Sequence, residues 1–339
     1  MGRQLITVLG SSGLLGTAIT RELAERPVRL RLAGRRGTAV PPDARADTDV
    51  RTIDLLGHGA VASAIAGADV VVHLVAHIGG ARTWRMASTT PLAERVNLGL
   101  LRDLIAAVRA QRRRRPPVVL LAGSMSQVGR TSGRIDGSEP DRPLTTYDRQ
   151  KLDAEHALVR ADADGLVQGS TLRLATLYSR GTDAAALDRG VVSVMMRRAF
   201  AGQPLTMWHD GSVERDLLCV DDAARAFVAA LDEIGSIAHR SWLVGSGQGT
   251  SIADLFTAIA NAVAARTGGQ PVPVAPVRPL ERLMPTDLLD FVLDPSAFRK
   301  ATGWRARVPL LEGLDGLADA IAADRAAGRD RRETEPCES

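Results

Sequence analysis

The strongest constraint on this chain comes at its start. A short apolar run, residues 4–9, ends in Gly10-Ser11-Ser12-Gly13-Leu14-Leu15-Gly16 and passes straight into a helical pattern over residues 18–24. A strand that turns on glycines into a helix leaves the helix's free amides and positive dipole end at the strand's carboxyl edge. Glycines there let an anionic pyrophosphate reach the backbone. A tight turn holding no ligand would use the same residues, so the rest of the chain has to decide. Apolar runs at residues 28–33, 50–54, 69–76, 118–123 and 170–178 alternate with helical stretches at 92–109 and 146–160. The run 69–76 is almost continuously apolar, as a parallel strand buried on both faces must be. This alternation predicts an α/β fold, a Rossmann-type doubly wound parallel sheet.

Ligands of such sheets sit outside the carboxyl ends of the strands. The second strand ends in Gly34-Arg35-Arg36, where an enzyme for NAD usually carries an acid to hold the ribose hydroxyls; arginines suit the 2′-phosphate of NADP. The plainer alternative is two surface arginines in a chain whose 43 cations are nearly all arginine. Asp54-Leu55 ends the third strand, where an adenine can sit, and His77-Ile78-Gly79-Gly80 follows the fourth as a loop.

Lysine is scarce here, only Lys151 and Lys300, and Lys151 lies four residues after Tyr147, one of two tyrosines. With Leu152, Ala154, Ala157 and Leu158 reading as a helical stripe, Tyr147 and Lys151 stack one turn apart. An ammonium beside a phenol is expected to lower the phenol pKa and make it a better proton donor to a developing alkoxide, as carbonyl reduction requires. A packed tyrosine beside a solvated lysine is the bland reading. Ser124, just beyond the fifth strand, can hold a substrate carbonyl near Tyr147, and Ser126 is its competitor.

Past residue 178 the regular alternation breaks. Helices are expected at 191–201, 221–231 and 252–265, strands at 214–220 and 241–244, and an irregular proline-rich stretch at 271–285. The run Arg112-Arg113-Arg114-Arg115 reads as a solvated helix end. The expected division is a dinucleotide-binding domain over residues 1–178, rejoined by 214–244, and a substrate cap over 179–213 and 245–323. Residues 324–339 read as a flexible tail. A formal charge of only +4 with both signs interspersed argues against nucleic acid as partner. Two cysteines, Cys219 and Cys337, make neither a disulfide framework nor a metal site, and six histidines show no ligand spacing, so no metal is expected. No segment approaches the ~18 apolar residues a membrane span needs. A cytoplasmic protein, with no membrane partner, is the expectation.

Taken together, Gly10/Gly13/Gly16, Asp54-Leu55, Ser124, Tyr147 with Lys151, Arg215-Asp216 before Val220-Asp221-Asp222, and Asp294-Pro295-Ser296 to Gly303-Trp304 resemble the extended short-chain dehydrogenase/reductase family, the nucleotide-sugar epimerases and dehydratases. The runs His73-Leu74-Val75-Ala76-His77, Gly190-Val191-Val192, residues 204–211 and Arg215-Asp216-Leu217-Leu218 look more closely like the dTDP-4-keto-6-deoxyhexose 4-ketoreductases of antibiotic deoxysugar pathways. That resemblance implies Tyr147 as proton donor, Lys151 tuning it and holding the nicotinamide ribose, and Ser124 at the C4 oxygen. It also implies Arg215 at the substrate diphosphate, with His77, Ser126 and Thr176 on the substrate side. Ser12, Leu14, Leu74, Val75, Ala76 and Leu174 would join the glycines, Arg35, Arg36, Asp54 and Leu55 around NADP(H). The chain departs from the pattern at Val128, where tyrosine is common, and at Thr176, where asparagine is. Helices 92–109 and 146–160 would form a homodimer bundle as in the family.

Chemistry separates the subfamilies. A 4,6-dehydratase needs an acid and a base after the hydroxyl residue, and here Met125-Ser126 follow Ser124. A 4-epimerase recycles one tightly held NAD, which suits an acid where Arg35 and Arg36 stand. A reductase exchanges NADPH at every turnover. The expected activity is NADPH-dependent reduction of a dTDP-4-keto-6-deoxyhexose at C4; a 4-epimerase with bound NAD is the runner-up, and a non-catalytic NADP-sensing scaffold the remote third.

Overall fold

All five side chains of β1 (Leu5–Leu9) are buried in the computed structural model, which describes residues 3–77, 90–129, 133–181, 190–277 and 289–328. The first half continues with α1 (Leu14–Ala24), β2 (Arg29–Gly34), β3 (Asp47–Thr52), α2 (Ala60–Ile65) and β4 (Val70–His73). The expected helix 92–109 is α3 (Pro91–Glu94) running through a π-helical turn, Arg95–Gly99, into α4 (Leu100–Gln111). β5 (Val118–Ser124) passes into a 3₁₀ turn, Met125–Val128, then β6 (Arg134–Ile135) and α5 (Thr146–Ala163). Next come β7 (Gln168–Leu174), β8 (Thr176–Tyr178), α6 (Val191–Phe200), β9 (Leu205–Trp208) and β10 (Glu214–Cys219). The chain closes with α7 (Val220–Asp232), α8 (Ile234–Ile237), β11 (Arg240–Val244), β12 (Gly249–Ser251), α9 (Ile252–Thr267), β13 (Val274–Val277), β14 (Val292–Leu293), α10 (Ser296–Thr302) and α11 (Leu310–Ala326).

Seven strands form one sheet in the order β11-β7-β5-β4-β1-β2-β3, every neighbouring pair parallel. The chain therefore winds outward from β1 in both directions. The crevice between the carboxyl ends of β1 and β4 is where such sheets take ligands. The central strands are buried on both faces, while β3, Asp47–Thr52, keeps its charges toward water as an edge strand must. One apolar core lies under α1 and α7 and reaches Phe227, Trp242, Phe298 and Trp304; a second lies under α2, α4 and α5. A third, built from α6, α9 and α11, fills the smaller lobe.

Several boundaries differ from expectation for physical reasons. The fourth strand stops at His73, so Leu74, Val75 and Ala76 belong to the loop beyond it. The run 170–178 is two strands: β7 belongs to the main sheet, whereas β8 leaves it to pair with β10. Apolar periodicity cannot signal that change of sheet. β11 returns to the main sheet's edge, and β10 lies in the small sheet β12-β10-β8. Part of the proline-rich stretch, Val274–Val277, is a strand on β9; residues 278–288 lie outside the described residues. Helix α11 continues to Ala326, so the tail read as flexible from 324 begins in helix, and residues 329–339 lie outside the described residues. Arg113, read as part of a solvated run, donates to the Ala68 carbonyl and pairs with Asp69 at 3.5 Å, tying the end of α4 to the start of β4. Among the described residues no helix is long and apolar enough to cross a membrane.

Candidate active site

Thr145 caps α5 through a reciprocal box with Asp148, which sets Tyr147 in the first turn at the mouth of the sheet. One turn on, Lys151 is buried and donates its ammonium to the Ala122 carbonyl of β5 at 2.5 Å. Another turn on, Glu155 accepts a two-pronged hydrogen bond from Arg173 of β7, Nε at 3.0 Å and Nη2 at 2.6 Å, and a third from Gln127 at 2.9 Å. Arg173 also grips Asp141 with both terminal nitrogens at 2.7 Å. Gln127 in turn accepts from the Ser124 backbone amide at 2.8 Å. Ser124 ends β5, in register with Leu174 of β7. One helix clamped onto two strands thus sets Lys151 against β5, Tyr147 one turn ahead of it, and Ser124 at the end of the same strand.

The electrostatics reverse one expectation. Burial and then the adjacent Asp148 push the Tyr147 phenol up, above its ordinary range, instead of the ammonium pulling it down. Lys151 is itself buried against a carbonyl, and burial lowers its amine to about 8. Its cationic form is therefore weakened where it was expected to act. Beside it His73, fully buried at the end of β4, is held neutral by burial and by Lys151, its pKa lowered to about 4.

Sequence reasoning missed Asn97. It sits in the π turn, accepts from the His77 amide at 2.7 Å, and donates to the His77 carbonyl at 3.3 Å and to Gln150 of α5 at 2.8 Å. Within that turn Asn97 is buried and bridges the loop after β4 to α5, and π turns are frequent at functional sites. An asparagine within an apolar helical stripe was the only available signal. Asp148, Gln127 and the Glu155–Arg173 pair were missed as well, since nothing in their spacing marks them.

The glycine turn has the shape of a cradle. Gly10 has φ +88° and donates to Ala33 at 2.8 Å; a β-carbon there would press on Leu74 and Val75. At Gly16 a β-carbon would run into Gly10 and Ser11. Gly13 begins α1 and no side chain caps the amides of its first turn, Leu14 among them, while Leu74 and Val75 of the loop after β4 pack against Gly10. Arg35 and Arg36 are exposed just past β2, and Arg36 donates to the Ser12 carbonyl at 3.2 Å. Asp54 is exposed and turns onto the Leu56 amide, while Leu55 is buried. On the opposite side Thr176 pairs with Leu217 in the small sheet, and Arg215 lies two residues before Leu217. The Arg215 guanidinium rests 5.5 Å over the Phe291 ring and donates to the Glu214 and Leu289 carbonyls. No group of three or more potential metal ligands occurs among the described residues.

Residues 6–245 match the model of the NAD dependent epimerase/dehydratase family. The chain belongs to that family. Among its relatives, a dTDP-L-rhamnose 4-epimerase of Burkholderia thailandensis is 35% identical over 127 residues, 38% of this chain and 34% of that protein. A UDP-glucose 4-epimerase of Mycolicibacterium smegmatis is 36% identical over 127 residues, 38% of this chain and 37% of that protein. These matches span only about a third of either relative. Solved structures extend the likeness of fold to nearly the whole chain. MoeE5 in complex with UDP-glucose and NAD has a TM-score of 0.77 at 23% identity, covering 96% of this chain and 99% of that one. UDP-glucose 4-epimerase of Thermotoga maritima has a TM-score of 0.78 at 18% identity, covering 95% and 100%.

Proposed function

We propose that this family member uses NADPH to reduce the C4 ketone of a dTDP-4-keto-6-deoxyhexose. The carrying observation is the end of β2, where two exposed arginines and no acid stand beside the glycine cradle, with Arg36 already drawn onto Ser12. The cradle, the helix N-terminus without a side-chain cap and the buried Lys151 fit a dinucleotide, with Gly10, Gly13 and Gly16 against the pyrophosphate, Arg35 and Arg36 at the 2′-phosphate and Lys151 at the nicotinamide ribose. The bound cofactor supplies the hydride that adds to C4. Tyr147, kept a neutral phenol across the physiological range, gives its proton to the O4 alkoxide as it forms, and Ser124 steadies that oxygen. The glycine turn holds its ligand in the crevice opposite the Ser124, Tyr147 and Lys151 cluster, and Arg215 at the small sheet is our candidate for the substrate diphosphate.

A second reading is a nucleotide-sugar 4-epimerase that retains NAD; the names of the two sequence relatives favour it. The deciding experiment offers purified protein a dTDP-4-keto-6-deoxyhexose with NADPH and NADH in parallel. Net nicotinamide oxidation with NADPH preferred supports the reductase. No oxidation, with NAD released on denaturation, supports the epimerase. Arg35→Ala combined with Arg36→Ala is expected to weaken NADPH at least tenfold more than NADH, and equal weakening would remove the NADP argument. Tyr147→Phe is expected to cost about 10²- to 10⁴-fold in turnover while NADPH titrates in unchanged. Undiminished turnover would dismiss Tyr147 as the acid.

A further inference from the structure

The hydroxyl beside the reacting position is wired to a carboxylate. Ser124 Oγ lies 2.8 Å from Ser126 Oγ, and Ser126 Oγ lies 2.5 Å from Asp148 Oδ1. Asp148 is 2% exposed although it directly follows Tyr147 on the first turn of α5. Its other oxygen, Oδ2, accepts from the Thr145 amide at 3.1 Å and the Thr145 hydroxyl at 2.6 Å, while the Asp148 amide donates to that hydroxyl at 3.1 Å.

Counting protons fixes the direction of the chain, because a serine hydroxyl has one proton to give. With Asp148 ionised, Ser126 must donate to Oδ1, and Ser124 must then donate to Ser126. Ser124 also receives the Ser126 amide at 3.3 Å, so in this state it meets a third group only as an acceptor. With Asp148 protonated on Oδ1, every bond reverses: the carboxyl donates to Ser126, Ser126 to Ser124, and Ser124 keeps its own proton for the substrate. We propose that Asp148 is the terminus of a hydroxyl relay, Ser124–Ser126–Asp148, whose protonation decides whether Ser124 donates a hydrogen bond to the substrate oxygen or accepts one. The inference rests on the reading of Ser124 as the hydroxyl at that oxygen. Asp148 is a positioning residue in this scheme, acting through two serines and never touching substrate.

Besides Asp148, the ionisable groups on α5 are Tyr147, Arg149, Lys151, Asp153, Glu155, His156, Arg160 and Asp162; on the elements beside it they are Arg95 in the π turn, Arg102, Asp103 and Arg109 of α4, His73 of β4, Arg173 of β7, and Asp141 and Arg142 in the approach to α5. The Asp148 carboxyl is raised from its ordinary value by burial, opposed by the Ser126 and Thr145 hydrogen bonds. A ketone or alkoxide oxygen needs a donor, so the protonated form is the faster one and the rate falls as pH rises through the Asp148 titration.

Two measurements test the relay. Infrared spectra of the full chain follow the protonated carboxyl band that Asp148→Asn removes. Ser124→Ala leaves every direct contact of Asp148 in place, yet should shift that titration upward, because a hydroxyl chain strengthens each of its bonds and Ser124 supports the donation that steadies the carboxylate. An unmoved titration overturns the relay. In parallel, kcat/KM for dTDP-4-keto-6-deoxyglucose with NADPH should fall roughly three- to tenfold across the same titration, the worth of one hydrogen bond. Asp148→Asn should hold the acid-side rate throughout: its carbonyl takes the Thr145 donors and its amide faces Ser126, locking Ser124 as donor. Ser126→Ala should also lose that pH dependence. If Asp148 only caps α5, Asp148→Asn will melt at lower temperature and keep the wild-type profile, which overturns the proposal. A wild type inert toward the ketone but with a Ser124-dependent carboxyl titration would retain the relay and sink the ketone reading.

Discussion

Lys151 illustrates how a single residue's chemistry depends on where the fold puts it. In sequence it was a cation beside a phenol; in the structure it is a buried amine on a strand carbonyl, its pKa lowered to about 8 from the ordinary 10.5. Below pH 8 both the folded and the unfolded chain bind the proton, and the fold carries the whole cost of burying it. Between 8 and 10.5 only the unfolded chain still binds it, so stability rises with pH over that window. Lys151→Met is accordingly expected to stabilise the ligand-free protein at pH 7 by up to about 3 kcal/mol and to lose that advantage near the upper end of the window. Denaturant melts at a series of pH values check this; a destabilised variant at pH 7 would show that the Ala122 hydrogen bond outweighs burial. The trade of stability for a usable charge is common at active sites.

At the scale of elements, α5 is the part everything else in the site depends on. Its docking onto β5 and β7 runs through Glu155, which is 4% exposed. Burial alone would raise the Glu155 carboxyl, but the Arg173 hydrogen bonds and charge, with Gln127 and Ser241, bring it below its ordinary 4.5. A carboxyl lowered by folding contributes stability that is present above its unfolded value and lost as pH falls through the lower, folded one. Glu155→Gln leaves the Arg173 cation half-partnered in the interior and is expected to cost about 3–5 kcal/mol at pH 7, with the gap from wild type narrowing below pH 4.5. Thermal melts at pH 7 and pH 3 measure it, and a cost under about 1 kcal/mol at pH 7 would mean that Asp141 alone satisfies the arginine. The elements themselves were largely legible: strand and helix periodicities located the parallel sheet and α5. What was not legible was the π turn carrying Asn97 and the break between β7 and β8. Both arise from neighbours distant in sequence, which no local pattern records.

Across the whole molecule, the helices α6, α9 and α11 pack around a core of their own, apart from the two cores that flank the main sheet. Leu317 of α11 is fully buried there with Leu255, Ile259 and Met196. Leu317→Ala is expected to cost about 2–5 kcal/mol and, on the function proposed above, to weaken the sugar nucleotide more than the dinucleotide, as read by calorimetry with each. Equal weakening of both would mean that this core stabilises both binding regions as one unit. Sequence by itself determined the parallel sheet, the glycine cradle and the placing of Tyr147 and Lys151 one turn apart on one helix, because each follows from spacing within one strand, turn or helix. The tertiary structure alone decided which polar groups face one another: Asp148 with Ser126, Glu155 with Arg173, Asn97 with His77, and Lys151 with Ala122. It thereby also decided that the phenol's pKa rises where the sequence predicted a fall. Local spacing is set by covalent geometry, whereas the burial and partners that fix a charge are set by segments far apart in the chain.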